Sequence, residues 1–173
     1  MIWEATSDTL TFPLYQYTNP DIQTKRDVVK LTSSLFDPLG LVSPVHVKAK
    51  IFIQQLWKQN LHWDDPITGH LLDEWITIRQ ELYAVRNIVV PRYYFPSTFD
   101  PSDKYELHVF ADSSTKAYGA VVYLKLNHQI SLVISKTRVK PIKDVTLPRL
   151  ELLAAFIATR LHNLCFNHCL TSP

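Results

Sequence analysis

Asp112 ends the alternating run Tyr105-Glu106-Leu107-His108-Val109-Phe110-Ala111, and Glu151 stands just inside a helical pattern opened by Leu147-Pro148. A carboxylate at the end of a strand, paired with one from a helix packed beside it, can hold divalent metal ions against phosphate. On helical geometry Glu151 lies about 100° from the apolar Leu150, with Ala155 and Ala158 as neighbours on its side. Small neighbours let the helix approach the sheet closely, so Glu151 could reach toward Asp112. The same two residues also admit a structural account, Asp112 as turn chemistry and Glu151 as a first-turn carboxylate favoured by the helix dipole. Spacing alone leaves both accounts open.

Other chemistry-bearing groups have weaker patterns. Asp64-Asp65 is the only adjacent pair of aspartates, and its setting between Trp63 and Pro66 reads as capping and turn chemistry. His162, Cys165, His168 and Cys169 are residue types that Zn²⁺ prefers, but their spacing is not that of a common finger or ribbon; a helix end with two buried cysteines and two exposed histidines is the favoured account. An aspartic peptidase needs Asp-Thr-Gly or Asp-Ser-Gly, and Asp112-Ser113-Ser114 lacks the Gly. With 3 Gly against 11 Pro in 173 residues, a glycine-rich phosphate cradle has almost no raw material.

The elements that must position these groups follow from periodicity. The fold class is α+β: a small helical bundle, then three antiparallel strands and a helix. Residues 1–22 read as a hairpin, 23–86 as a helical unit, 87–104 as an extended connector rich in Pro and aromatic residues, and 105–173 as a second unit. Thr24-Lys25-Arg26-Asp27 has the form of a capping box, with Asp in place of Glu or Gln. Ser43-Pro44 opens a second helix, in which Ala49, Phe52, Ile53, Leu56 and Trp57 form the buried face. A third runs over about residues 68–83 through Leu71, Leu72, Trp75, Ile78 and Leu82. Strands are expected over 105–110, 118–124 and 130–135, then a basic loop over 136–146 and a helix with Leu150, Ala154, Ile157 and Leu161 as one stripe.

Composition, 46% hydrophobic and 20% charged, excludes disorder for most of the chain. Two cysteines close together near the C-terminus exclude a disulfide-stapled module. No run approaches the roughly 18 apolar residues of a membrane span, so the reading is a soluble, intracellular chain with no membrane partner. The net charge of +2 is unevenly spread. Residues 24–62 carry six Lys/Arg against two Asp, residues 63–87 two against five acidic groups, and residues 136–149 five against one. Lys25, Arg26, Lys30, Lys48 and Lys50, continued by Lys136, Arg138 and Lys140, are the candidate contacts for a polyanion, with solvated helix faces and loops as the alternative.

Three blocks carry a resemblance. Glu106-Leu107-His108-Val109-Phe110-Ala111-Asp112-Ser113-Ser114, Ala117-Tyr118-Gly119-Ala120-Val121-Val122-Tyr123 and Leu147-Pro148-Arg149-Leu150-Glu151-Leu152-Leu153-Ala154-Ala155 resemble the start of the ribonuclease H domain in Bel/Pao-type LTR retrotransposon Pol polyproteins. The upstream stretch from Thr24-Lys25-Arg26-Asp27 through Phe36-Asp37-Pro38-Leu39-Gly40 to Trp63-Asp64 is similar to the region after the reverse transcriptase palm, with thumb-like helices. The region also carries the family label of Pao retrotransposon peptidases. The resemblance implies that Asp112 and Glu151 match the first two catalytic carboxylates, which bind Mg²⁺ and hydrolyse the RNA strand of an RNA–DNA hybrid. It implies a hybrid or template–primer duplex and the remainder of the Pol polyprotein as partners. The family's further acidic residues and its Tyr-x-Asp-Asp polymerase motif do not occur here. The expectation is therefore a piece of the polyprotein, inactive alone and with weak or absent Mg²⁺ binding compared with the intact parent, or else a non-catalytic nucleic-acid-binding remnant or host-recruited interaction module.

Overall fold

The capping signal at Thr24 is realised in full. The Asp27 N–H donates to Thr24 Oγ1 at 3.3 Å and the Thr24 N–H donates to Asp27 Oδ2 at 3.0 Å, starting helix α1, Lys25–Ser34. A computed structural model describes residues 1–14, 23–95 and 104–167. The chain forms two units, Met1–Pro38 with Pro44–Arg92, and Leu39–Ser43 with Tyr93–Pro173.

In the first unit, strands β1 (Ile2–Glu4) and β2 (Thr9–Thr11) form the expected hairpin, closed through Asp8 at φ 49°. A third strand, β3 (Val89–Pro91), pairs antiparallel with β2, where the sequence suggests an extended connector. Pro91 is tolerated because β3 is an edge strand of the order β1-β2-β3. Asp8 accepts from the Arg92 guanidinium and from Trp3 Nε1, and these bonds, Arg92's first, hold its carboxyl below the usual range.

Helices α2 (Ser43–Lys58) and α3 (His70–Ala84) supply the rest of the unit's apolar interior. Val28, Leu31, Ala49, Phe52, Leu56, Trp75 and Leu82 are buried, and the Phe52 and Trp75 rings stack with centroids 5.6 Å apart. Trp75 Nε1 donates to Gln23 Oε1 at 2.8 Å, and the Ile67 N–H donates to the Gln23 carbonyl at 2.8 Å, so α1 is anchored at its start. Trp57 departs from the expected buried face and is 45% exposed.

The second unit is a three-stranded antiparallel sheet, β4 (Tyr105–Ser113), β5 (Ala117–Leu126) and β6 (Gln129–Val139), with β5 central, and helix α4 (Leu147–Cys165). All three strands run longer than expected, and Lys136 and Arg138 stand on β6 rather than in a loop. Pairing decides this: Ala120 opposes Lys136 and Tyr118 opposes Arg138, so β5 offers hydrogen-bond partners where the side-chain pattern is polar. Asn127 at φ 53° closes the β5–β6 turn. Residue 133 is passed over in the ladder between the pairs Val122↔Ile134 and Tyr123↔Leu132, yet its side chain is buried in the core.

Alternation assigns the two sheet faces. Ala120, Val122, Leu124 and Leu126 are buried on the face that α4 covers with Ile157, Leu161 and Cys165. On the opposite face Ser135 binds residues Leu39–Ser43: its N–H donates to the Leu39 carbonyl at 2.8 Å, and its Oγ bonds the Gly40 carbonyl at 2.6 Å and Ser43 Oγ at 2.9 Å.

Candidate functional site

Asp112 lies on β4 and Glu151 on α4, two elements that pack together. Val109 and Ala111 on β4, with Ala155, Ala158, Thr159 and His162 on α4, line an open groove of about 410 Å³ beside the β4 edge. Glu151 lies four residues before Ala155, hence on the groove flank of α4 one turn toward its N-terminus. Asp112 follows Ala111 and is the penultimate residue of β4. Both carboxylates are exposed.

Strand alternation turns Asp112 to the face opposite Ala111, and no hydrogen bond joins the two carboxylates among the described residues. Asp112 Oδ1 accepts from the Ser113 N–H at 2.7 Å. The same sheet face carries Glu106, which accepts from His108 Nε2 at 3.0 Å and from Lys125 Nζ at 3.2 Å; these bonds, His108's first, lower its pKa. Among the described residues no group of three His, Cys, Asp or Glu is arranged to hold a metal ion. Of the zinc candidates, Cys165 is buried, His162 lines the groove, and His168 and Cys169 lie outside the described residues.

The profile of the Pao retrotransposon-like RNaseH-like domain matches residues 24–172. The chain belongs to this family. No curated protein and no solved structure matches it. The match extends from the capping box of α1 through the sheet to α4, so the Pao domain as matched includes the three helices of the first unit.

The basic residues of this Pao domain are not equivalent. Lys25 is 3% exposed, its Nζ donates to the Leu61 carbonyl at 2.9 Å and lies 3.3 Å from the centroid of the Trp57 ring. Trp63 meets Trp57 edge to face at 5.4 Å, which closes an aromatic corner around the ammonium. Arg26 is exposed and pairs through two nitrogens with Asp64, and the exposed Lys48 pairs with Glu81 at 2.7 Å. Lys30 and Lys50 are exposed on α1 and α2, Lys136 and Arg138 on β6. Lys140 approaches Asp144 at 3.6 Å.

Burial therefore makes Lys25 a structural group, which periodicity could not distinguish from its exposed neighbour Arg26. The aromatic residues Trp57 and Trp63 near a lysine were the available signal. Replacing Lys25 with Ala is expected to lower stability by about 1–3 kcal/mol, through loss of the cation–π contact and of the bond to the Leu61 carbonyl. An ammonium this buried is not available to a phosphate, so any polyanion affinity measured for the chain should change by no more than about twofold. Urea denaturation and fluorescence anisotropy on the same variant read the two effects separately. No helix among the described residues is long and apolar enough to cross a membrane.

Proposed function

We propose that this Pao domain contributes Asp112 and Glu151 to a metal-dependent nuclease centre that hydrolyses the RNA strand of an RNA–DNA hybrid, as part of a retrotransposon Pol polyprotein. What supports the reading is two exposed carboxylates on elements that pack together, Asp112 as the penultimate residue of β4 and Glu151 near the start of α4. The residues fit a divalent ion: hard carboxylate oxygens are the ligands that Mg²⁺ takes, and neither group is tied into an ion pair among the described residues. Bound there, Mg²⁺ would activate water and stabilise a leaving oxygen. The chain's own contribution is orientation. The Ser113 N–H fixes Asp112 Oδ1, and Glu151, the fifth residue of α4, lies one turn before Ala155 on the groove flank.

Asp112→Asn keeps the acceptor oxygen for Ser113 and removes only the charge. Mn²⁺ titrated into the labelled chain is expected to broaden amide signals around Asp112 and Glu151, and Asp112→Asn should weaken this at least tenfold, about 1.4 kcal/mol of metal affinity. Broadening confined to other residues, or unchanged in the variant, would sink the reading. The variant should still bind a hybrid, because phosphate contacts lie with the cations.

A further inference from the structure

Helix α4 has two flanks, and they carry opposite charge. Taking the buried Leu150, Ala154, Ile157 and Leu161 as the face on the sheet, Ala155, Ala158 and His162 fall on the β4 side, where they line the groove, and helical periodicity puts Glu151 on the same flank. Arg149, Phe156 and Arg160 then fall on the other flank, which overlooks β6. On β6, Lys136 opposes the buried Ala120 and Arg138 opposes Tyr118, a residue packed against the same core, so both side chains rise on the face that carries α4. Lys140 follows in the same alternation. Lys136, Arg138, Arg149 and Arg160 are all exposed.

The result is a basic trough with a strand floor and a helical wall. Alternate residues on a strand are about 6.8 Å apart, a stride comparable to that of successive phosphates along a nucleotide chain. Among the described residues of this unit the acidic groups are Glu106, Asp112, Asp144 and Glu151. Glu106 and Asp112 lie on the opposite sheet face, Glu151 is on the opposite flank of α4, and Asp144 sits at the rim beside Lys140. Among the described residues of this unit nothing acidic stands inside the trough to oppose an anion. Phe156, 54% exposed, lies under the Arg160 guanidinium at 4.5 Å, which holds that charge on a flat aromatic support.

We infer that this trough, formed by Lys136, Arg138, Arg149 and Arg160 on the side of α4 away from the carboxylates, is a second binding surface that grips the sugar–phosphate backbone of a nucleic acid without reading its bases. The inference deepens the proposed function, from which it takes the class of polyanion, but its location is separate from Asp112 and Glu151. A strand held there runs beside the nuclease centre rather than through it. The contacts are charges on flexible stems, so binding is salt-sensitive and indifferent to sequence.

The test is anisotropy of a labelled RNA–DNA hybrid and a labelled single strand, in EDTA, against the 173-residue chain. The variant Lys136→Ala/Arg138→Ala/Arg160→Ala should lose at least tenfold in affinity at low salt, and its plot of log affinity against log salt should be shallower by about 2 to 3. The charge-conserving Lys136→Arg/Arg138→Lys/Arg160→Lys should bind within a few-fold of the parent, which a role in folding alone would not predict. Unchanged affinity and slope in the alanine variant overturns the inference, as does equal loss in the charge-conserving one. Measured without metal, the outcome is independent of the Mn²⁺ titration: a failed trough leaves the carboxylate site standing, and a failed carboxylate site leaves the trough standing.

Discussion

Trp75→Ala is expected to cost the first unit about 3–5 kcal/mol, the range for emptying a buried aromatic site. Trp75 is fully buried, stacks on Phe52, and supplies the indole donor to Gln23 at the start of α1. Truncation therefore removes core volume and an anchor of the helix bundle together. In a unit of this size the midpoint of thermal unfolding should fall by more than about 10 °C. Trp75→Phe keeps the stack and loses the hydrogen bond, so a smaller loss of about 1–2 kcal/mol follows. Urea denaturation followed by exchange protection of α3 amides reads both; a Trp75→Ala chain within about 1 kcal/mol of the parent would show that this interior is not what holds the helices.

Gly40→Ala acts on the second unit with comparable force. Gly40 has φ +70°, and a Cβ there would stand 2.2 Å from the Ser135 carbonyl oxygen, which is backbone and cannot rotate aside. The left-handed backbone costs a non-glycine residue about 1–2 kcal/mol, and forced overpacking typically another 1–3 kcal/mol. Residues Leu39–Ser43 should therefore leave Ser135, and exchange protection at the Ser135 amide should drop while β4–β5 amides remain protected. Ser135→Ala removes only the two hydroxyl bonds and should cost less, about 1–2 kcal/mol. Equal protection in Gly40→Ala and parent would contradict the close approach.

The sequence makes the local elements legible because their signals are local. The capping box at Thr24, the stripe Leu150-Ala154-Ile157-Leu161 and the period-two strands each depend on residues within one element, and each is present. Strand ends are less legible: Lys136 and Arg138 look like loop residues until β5 lies beside them, since ladder hydrogen bonds come from a partner and not from side-chain type. β3 is hidden for the same reason, because three residues ending in Pro have no strand signal without β2. Lys25 and Arg26 are adjacent cations of equal standing in the sequence, and only the meeting of α1 with Trp57 and Trp63 separates a buried ammonium from an exposed guanidinium.

The candidate site divides in the same way. Residue order alone places Asp112 at the end of an apolar strand and Glu151 near the start of an amphipathic helix, just past the first turn of α4, and it carries the family likeness that the match over 24–172 establishes. Which flank of α4 faces which strand is a different kind of fact. It depends on which residues of the stripe seat on the sheet, and that seating puts Ala155, Ala158 and His162 on the groove side, from which helical periodicity carries Glu151 to the same flank and Arg149 and Arg160 to the other. Periodicity defines a helix face up to rotation and a strand face up to its partner, so the sequence by itself determined the chemistry and the elements that bear it. Packing, which removes those remaining freedoms, decided the separation of carboxylates from cations across α4.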